Sequence, residues 1–154
     1  METVIFVGVQ GSGKTTFYQE RFADTHVRIS LDVLRTRRRE QLLFEACLQG
    51  RQPFVIDNTN PLALDRAKYV ESARAAGFHV AAYYFETSLR DAIRRNNRRT
   101  GKKKIPVPGV AGTFGKIQRP TLAERFDALY VVTISPEGSF VVTTESTRKA
   151  DPAI

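Results

Sequence analysis

Gly8-Val9-Gln10-Gly11-Ser12-Gly13-Lys14-Thr15 fits the pattern G-x-x-x-x-G-K-[ST] of a phosphate-binding loop. The apolar run Val4-Ile5-Phe6-Val7 before it predicts a buried strand. The run Thr16-Phe17-Tyr18-Gln19-Glu20-Arg21-Phe22 after it predicts the first turns of a helix. Strand, loop and helix in that order are the context the pattern requires. Glycines let successive N–H groups turn inward, and these groups, with the positive end of the helix, hold phosphates. Gly8, Gly11, Ser12, Gly13, Lys14, Thr15 and Thr16 are therefore the expected ATP-binding set. In such a loop the lysine reaches the β- and γ-phosphates and the hydroxyl, here that of Thr15, binds Mg²⁺. The loop implies a nucleoside triphosphate without saying where its γ-phosphate goes.

Outward from the loop, strand-like apolar runs alternate with helical patterns, which predicts an α/β fold with a mostly parallel five-stranded sheet flanked by helices. The predicted strands cover residues 3–8, 26–30, 53–57, 78–86 and 129–135. Predicted helices cover 14–23, 32–48, 61–76 and 88–99, the third capped by Asn60 with Pro61 in its first turn. Between residues 100 and 118 neither period is legible, which predicts a long functional loop. Thr121-Leu122-Ala123-Glu124 reads as a capping box. Pro136-Glu137-Gly138-Ser139 reads as a tight turn into an antiparallel edge strand at 140–143, followed by a polar tail. The expectation is one kinase domain over residues 1–145, with a lid at about 90–118 and a tail over 146–154.

The 154 residues suffice for a single core. Cys47, the one cysteine, lies in an apolar stretch and reads as packing; it allows neither an intramolecular disulfide nor a cysteine metal cluster. No run is long and apolar enough to span a membrane, and the first strand begins almost at Met1. These features point to a cytoplasmic protein without a membrane or disulfide partner. The net charge is +8, and residues 90–104 hold eight basic residues against Asp91 alone. That cluster suits a lid that closes on a triphosphate, with Arg95 and Arg99, four residues apart, on one helix face as donor-phosphate ligands. Its lysines equally suit the backbone of a nucleic acid, and a solvated face remains the plain alternative.

Two acidic positions follow predicted strands, at the sheet edge where ligands bind in α/β folds. Asp32, after the second strand, is placed to act as general base toward an acceptor hydroxyl, or simply to charge the first turn of its helix. Arg35, one turn on, would hold an acceptor phosphate. Asp57, after the third strand, is placed as a metal- or water-binding carboxylate, or as part of an Asx turn.

Taken together, these residues resemble the 5′-kinase module of the polynucleotide kinase family of end-healing enzymes. The resemblance rests on the phosphate loop, Asp32-x-x-Arg35, Val55-Ile56-Asp57-Asn58-Thr59-Asn60-Pro61, Arg94-Arg95-Asn96-Asn97-Arg98-Arg99, and the segment from Lys116 to Phe126. It covers about residues 4–134. It implies Asp32 as the base, Arg35 and Asp57 on the acceptor side, and Lys14, Arg95 and Arg99 acting on the donor phosphates. It implies transfer of the ATP γ-phosphate to a 5′-hydroxyl of DNA or RNA, with ATP and Mg²⁺ as cofactors and a nucleic-acid 5′ end as partner. The chain has no length for the phosphatase or ligase domain such enzymes often carry, and Leu31 stands where some relatives have an acidic residue. Two other readings share the same motifs: a kinase of a small-molecule hydroxyl, and a non-catalytic or ATPase-only nucleic-acid-binding module.

Overall fold

The computed structural model of the chain describes residues 1–147. Its centre is a six-stranded sheet in the order β2-β3-β1-β4-β5-β6. β1 (Glu2–Val7) lies between β3 (Phe54–Ile56) and β4 (His79–Phe85) and runs parallel to both. β2 (Val27–Ile29) adds beyond β3, and β5 (Ala128–Ile134) beyond β4, again in parallel. β6 (Phe140–Thr147) closes the sheet as an antiparallel edge on β5. The five parallel strands and the edge hairpin are those the sequence predicts. β6 pairs as far as Thr147 with Ala128, beyond the four residues expected. The β-branched run Val141-Val142-Thr143-Thr144 suits a pleated edge strand, so pairing continues into residues that look like a tail. The rest of the expected tail, 148–154, lies outside the described residues.

β1 is apolar on both faces because both are covered, as in parallel sheets generally. Val4 and Phe6 pack with Phe17 of α1 (Lys14–Arg21), Phe22 and Phe85. Ile5 and Val7 join Phe44 of α3 (Arg37–Gln49) and Tyr69 of α4 (Ala63–Ala75) in the larger core. Phe6, Phe17, Phe22 and Phe85 meet mostly edge to face, which adds to their area burial. Three adjacent strands, β2, β3 and β1, bring their carboxyl ends together. They deliver Ser30, Asp57 and the phosphate loop to one crevice.

Three local expectations are corrected. The helix predicted over 32–48 is two helices, α2 (Leu31–Leu34) and α3, broken at Arg35. Arg35 has φ 72°, and Thr36 N donates to Leu34 O at 2.9 Å, a γ-turn in the left-handed region. Thr36 then caps α3 by accepting from Arg39 N. Asn60 does not cap α4: it is buried at φ 45°, and its side-chain nitrogen donates to Phe6 O, stitching the turn to β1. α4 starts later, with Leu62 N donating to Asp65 Oδ2. The stretch 100–118 is a single 3₁₀ turn followed by α6 (Val107–Lys116). Three glycines and a proline hide this helix from propensity. Proline is tolerated in its first turn, and burial of Val110 against Val9 and Ala92 holds it.

Candidate active site

The phosphate loop is held from both sides. Gly11 has φ 79°, and a Cβ there would lie 2.5 Å from Ala92 O of α5 (Leu89–Asn97). Only glycine allows both that backbone shape and that approach, so α5 rests directly on the loop. Gly13, at φ 96°, is the N-cap of α1. Gln10 Nε2 donates to Thr113 Oγ1 at 3.3 Å, tying α6 to the loop as well.

Lys14 folds onto the loop, with Nζ donating to Gly8 O at 2.9 Å and Val9 O at 3.0 Å. Burial removes water from its ammonium and lowers its pKa from 10.5 to about 8, with the positive charges of Arg99 and Arg28 adding to this and Asp57 and Asp32 opposing it. Thr15 Oγ1 donates to Asp57 Oδ2 at 3.2 Å. Asp57 is buried, and the same Oδ2 accepts from Arg28 Nε at 2.7 Å.

Asp32 is exposed in the first turn of α2. Ser30 caps that turn by accepting from Asp32 N, and among the described residues the Asp32 carboxylate has no hydrogen bond or ion pair. Its position is fixed from behind. Leu31 N donates to Asn58 Oδ1 at 2.9 Å, and Asn58 Nδ2 donates to Glu40 Oε2 at 2.8 Å. Glu40, 2 % exposed, also accepts from Tyr69 Oη at 2.6 Å and Arg37 Nη1 at 3.0 Å. Burial and the Glu40 contact push the Tyr69 phenol well up, so it stays a donor.

Two cavities meet at Asp32. One, of about 240 Å³, brings together Lys14, Thr15, Asp32, Asp57 and Arg99. The other, of about 660 Å³, is lined by Thr15, Thr16, Arg28, Asp32, Arg35 and Arg99 among others. Arg95 is not with them. α5 ends at Asn97, two residues short of the expected end, so Arg99 leaves the helix and does not share a face with Arg95. Arg95 donates to Thr87 Oγ1 and lines a third cavity of about 360 Å³, beside Ser12 and Thr133. The buried Ser12 hydroxyl has no protein partner among the described residues. Asn96 is buried and clasps Ile105 through both its N–H and its carbonyl, which closes the basic segment into a loop.

Residues 4–119 match the family described as AAA domain (AAA_33). The chain belongs to this AAA-domain family. The match covers the phosphate loop, Asp32, Asp57 and the basic segment, and the AAA domain here is a nucleotide-binding P-loop domain of the kinase type. Two curated relatives carry the same segment. The chain is 31% identical over 139 residues to a putative bifunctional polynucleotide phosphatase/kinase of Acanthamoeba polyphaga mimivirus, matching 86% of the chain and 33% of the relative. It is 25% identical over 130 residues to a bifunctional polynucleotide phosphatase/kinase of Schizosaccharomyces pombe, matching 81% and 32%. The chain thus spans about a third of the length of these relatives. In fold it resembles a gluconokinase from Sinorhizobium meliloti, with a TM-score of 0.62 at 19% identity over 86% of this chain and 82% of that one.

Sequence reasoning missed three residues of this AAA domain's site. Arg28 lies inside a strand pattern, where its side chain signals nothing beyond surface charge. Glu40 looks like one more polar residue of a basic helix. Asn58 is visible in the Asp57–Asn60 block, but its partners, 27 and 18 residues away, are not. No described group of three or more His, Cys, Asp or Glu side chains could hold a metal by itself. No helix is long and apolar enough among the described residues to cross a membrane.

Proposed function

We propose that this domain transfers the γ-phosphate of ATP to the 5′-hydroxyl of a polynucleotide. The observation that carries the reading is Asp32: an exposed carboxylate without a protein partner among the described residues, sharing one cavity with Lys14 and Thr15 and another with Arg35. Both curated relatives are named as polynucleotide phosphatase/kinases. The basic segment 90–104 supplies charge for a polyanion.

In this reading the loop N–H groups and Lys14 take the β- and γ-phosphates. The hydroxyl of Thr15 and the carboxylate of Asp57 are hard oxygen donors, and one carboxylate plus a hydroxyl matches how Mg²⁺ is held beside nucleotide phosphates. Bound Mg²⁺ would supply charge neutralisation on the phosphate oxygens. Asp32 accepts the proton of the acceptor hydroxyl. The oxygen–phosphorus bond to the acceptor forms as the bond from the γ-phosphorus to the β,γ-bridging oxygen breaks, and ADP leaves. Arg35 holds a phosphate of the acceptor, and Arg99 draws charge off the transferring group. Arg95, apart from these, serves the donor nucleotide from the Ser12 side.

The test is γ-labelled ATP offered to 5′-hydroxyl DNA, 5′-hydroxyl RNA and a panel of sugars and nucleosides, with the unaltered protein and Lys14→Ala. Label on oligonucleotide from the unaltered protein alone is the expected result. Label on a metabolite alone would make the domain a small-molecule kinase. Hydrolysis without labelled product would make it an ATPase or a binding module.

A further inference from the structure

Arg28 reaches the two atoms that the proposed function gives to the metal. Its Nε donates to Asp57 Oδ2 at 2.7 Å and its Nη2 to Thr15 Oγ1 at 3.2 Å. The only other partner among the described residues is a long contact to Ser30 Oγ at 3.5 Å. The Asp57 side chain is 2% exposed, so in water-poor surroundings its charge is matched by one guanidinium. A neutral pair offers a divalent cation little attraction. A guanidinium donating to Thr15 Oγ1 also takes up the lone pair a cation would use.

We propose that Arg28 is a built-in competitor for the metal subsite, so that divalent cations bind only together with nucleotide phosphates. The inference rests on the reading of Thr15 and Asp57 as the metal side of the site. The cavity of about 660 Å³ that Arg28 lines with Thr15, Thr16, Gln19 and Arg35 gives its side chain room to withdraw. The triphosphate supplies the negative charge that outweighs the guanidinium. Free Mg²⁺ lacks that help and dehydrates reluctantly.

Mn²⁺, visible by electron paramagnetic resonance, is titrated into the protein without nucleotide and with a non-hydrolysable ATP analogue, for the unaltered chain, Arg28→Gln and Arg28→Lys. Without nucleotide, Arg28→Gln should bind Mn²⁺ at least about tenfold more tightly than the unaltered chain. Arg28→Lys, which keeps the charge, should stay near the unaltered value. The gap between the unaltered chain and Arg28→Gln should narrow once the analogue is present. Equal affinities of the unaltered chain and folded Arg28→Gln without nucleotide would overturn the inference and make Arg28 a structural clamp. Should Arg28→Gln fail to fold, Arg28→Met, which also removes the charge and keeps a long side chain, is read in its place: tighter nucleotide-free Mn²⁺ binding than the unaltered chain supports the inference, and equal binding overturns it. No acceptor is present, so these results stand apart from the label-transfer test. Loss of Mn²⁺ binding even with the analogue would count against the metal role of Thr15 and Asp57, and so against both readings.

Discussion

The two sides of the crevice, proposed above for donor and acceptor, are held in opposite ways. The donor side is local: eight consecutive residues, running from the end of β1 into the first turn of α1 and covered by Ala92 of α5. Its geometry is written into glycine positions and backbone shape. The acceptor side is assembled at a distance. Asp32 stands on a four-residue helix that could not persist alone, held by a relay from Glu40 through Asn58 to Leu31 N. A local motif survives as a pattern. A relay among three elements leaves only isolated polar residues in the sequence.

Breaking the relay should separate the two sides. In Asn58→Ala the Leu31 N–H loses its partner and Glu40 loses a donor, while the loop is untouched. Misplacement of a reacting group by about 1 Å can cost on the order of 100-fold. Single-turnover label transfer to the acceptor should fall by about that factor, with nucleotide affinity unchanged. An equal loss of nucleotide affinity would mean that the two sides are not independently built.

The donor side should respond to pH through Lys14. Its folded pKa, about 8, is below its ordinary value, so the folded chain sheds this proton first. The charged form is therefore strained below pH 8, and the stability of the nucleotide-free chain should rise as pH climbs from about 8 toward 10.5. Phosphates want the charged form. Nucleotide affinity should weaken about tenfold between pH 7 and pH 9, as calorimetric titration would measure. A flat profile would show that Lys14 stays fully charged.

The smallest effect lies at the break between α2 and α3. Arg35 occupies left-handed backbone that costs an arginine about 1–3 kcal/mol, part of which glycine returns to the unfolded chain. Arg35→Gly should raise stability by about 1 kcal/mol, or a few degrees in thermal unfolding, and weaken acceptor binding. A loss of stability would mean that the turn is not strained.

The same contrast explains what was legible in the sequence. The sheet was legible because β1, β3 and β4 are largely apolar runs, and the loop because its glycines, lysine and threonine fall at fixed spacing within eight residues. The break at Arg35 was not: Thr36 suits an N-cap, but a lone threonine inside a polar helical run does not by itself mark a boundary. α6 was hidden because its formation depends on one buried valine, Val110, packed against the loop. Asn60 was misassigned because asparagine suits both an N-cap and a left-handed turn, and only its bond to Phe6 O decides between them. Of the expected site, Lys14, Thr15, Asp32, Asp57 and Arg99 converge on one cavity; α5 ends before Arg99, which parts it from Arg95 on the Ser12 side.

Asp32 as the proposed base for a polynucleotide hydroxyl is tested most directly by one measurement. Single-turnover transfer of label from γ-labelled ATP to a 5′-hydroxyl oligonucleotide is compared between the unaltered chain and Asp32→Ala. The expected result is a fall of about 10²–10⁴-fold with nucleotide affinity intact. Near-normal transfer by folded Asp32→Ala would contradict it.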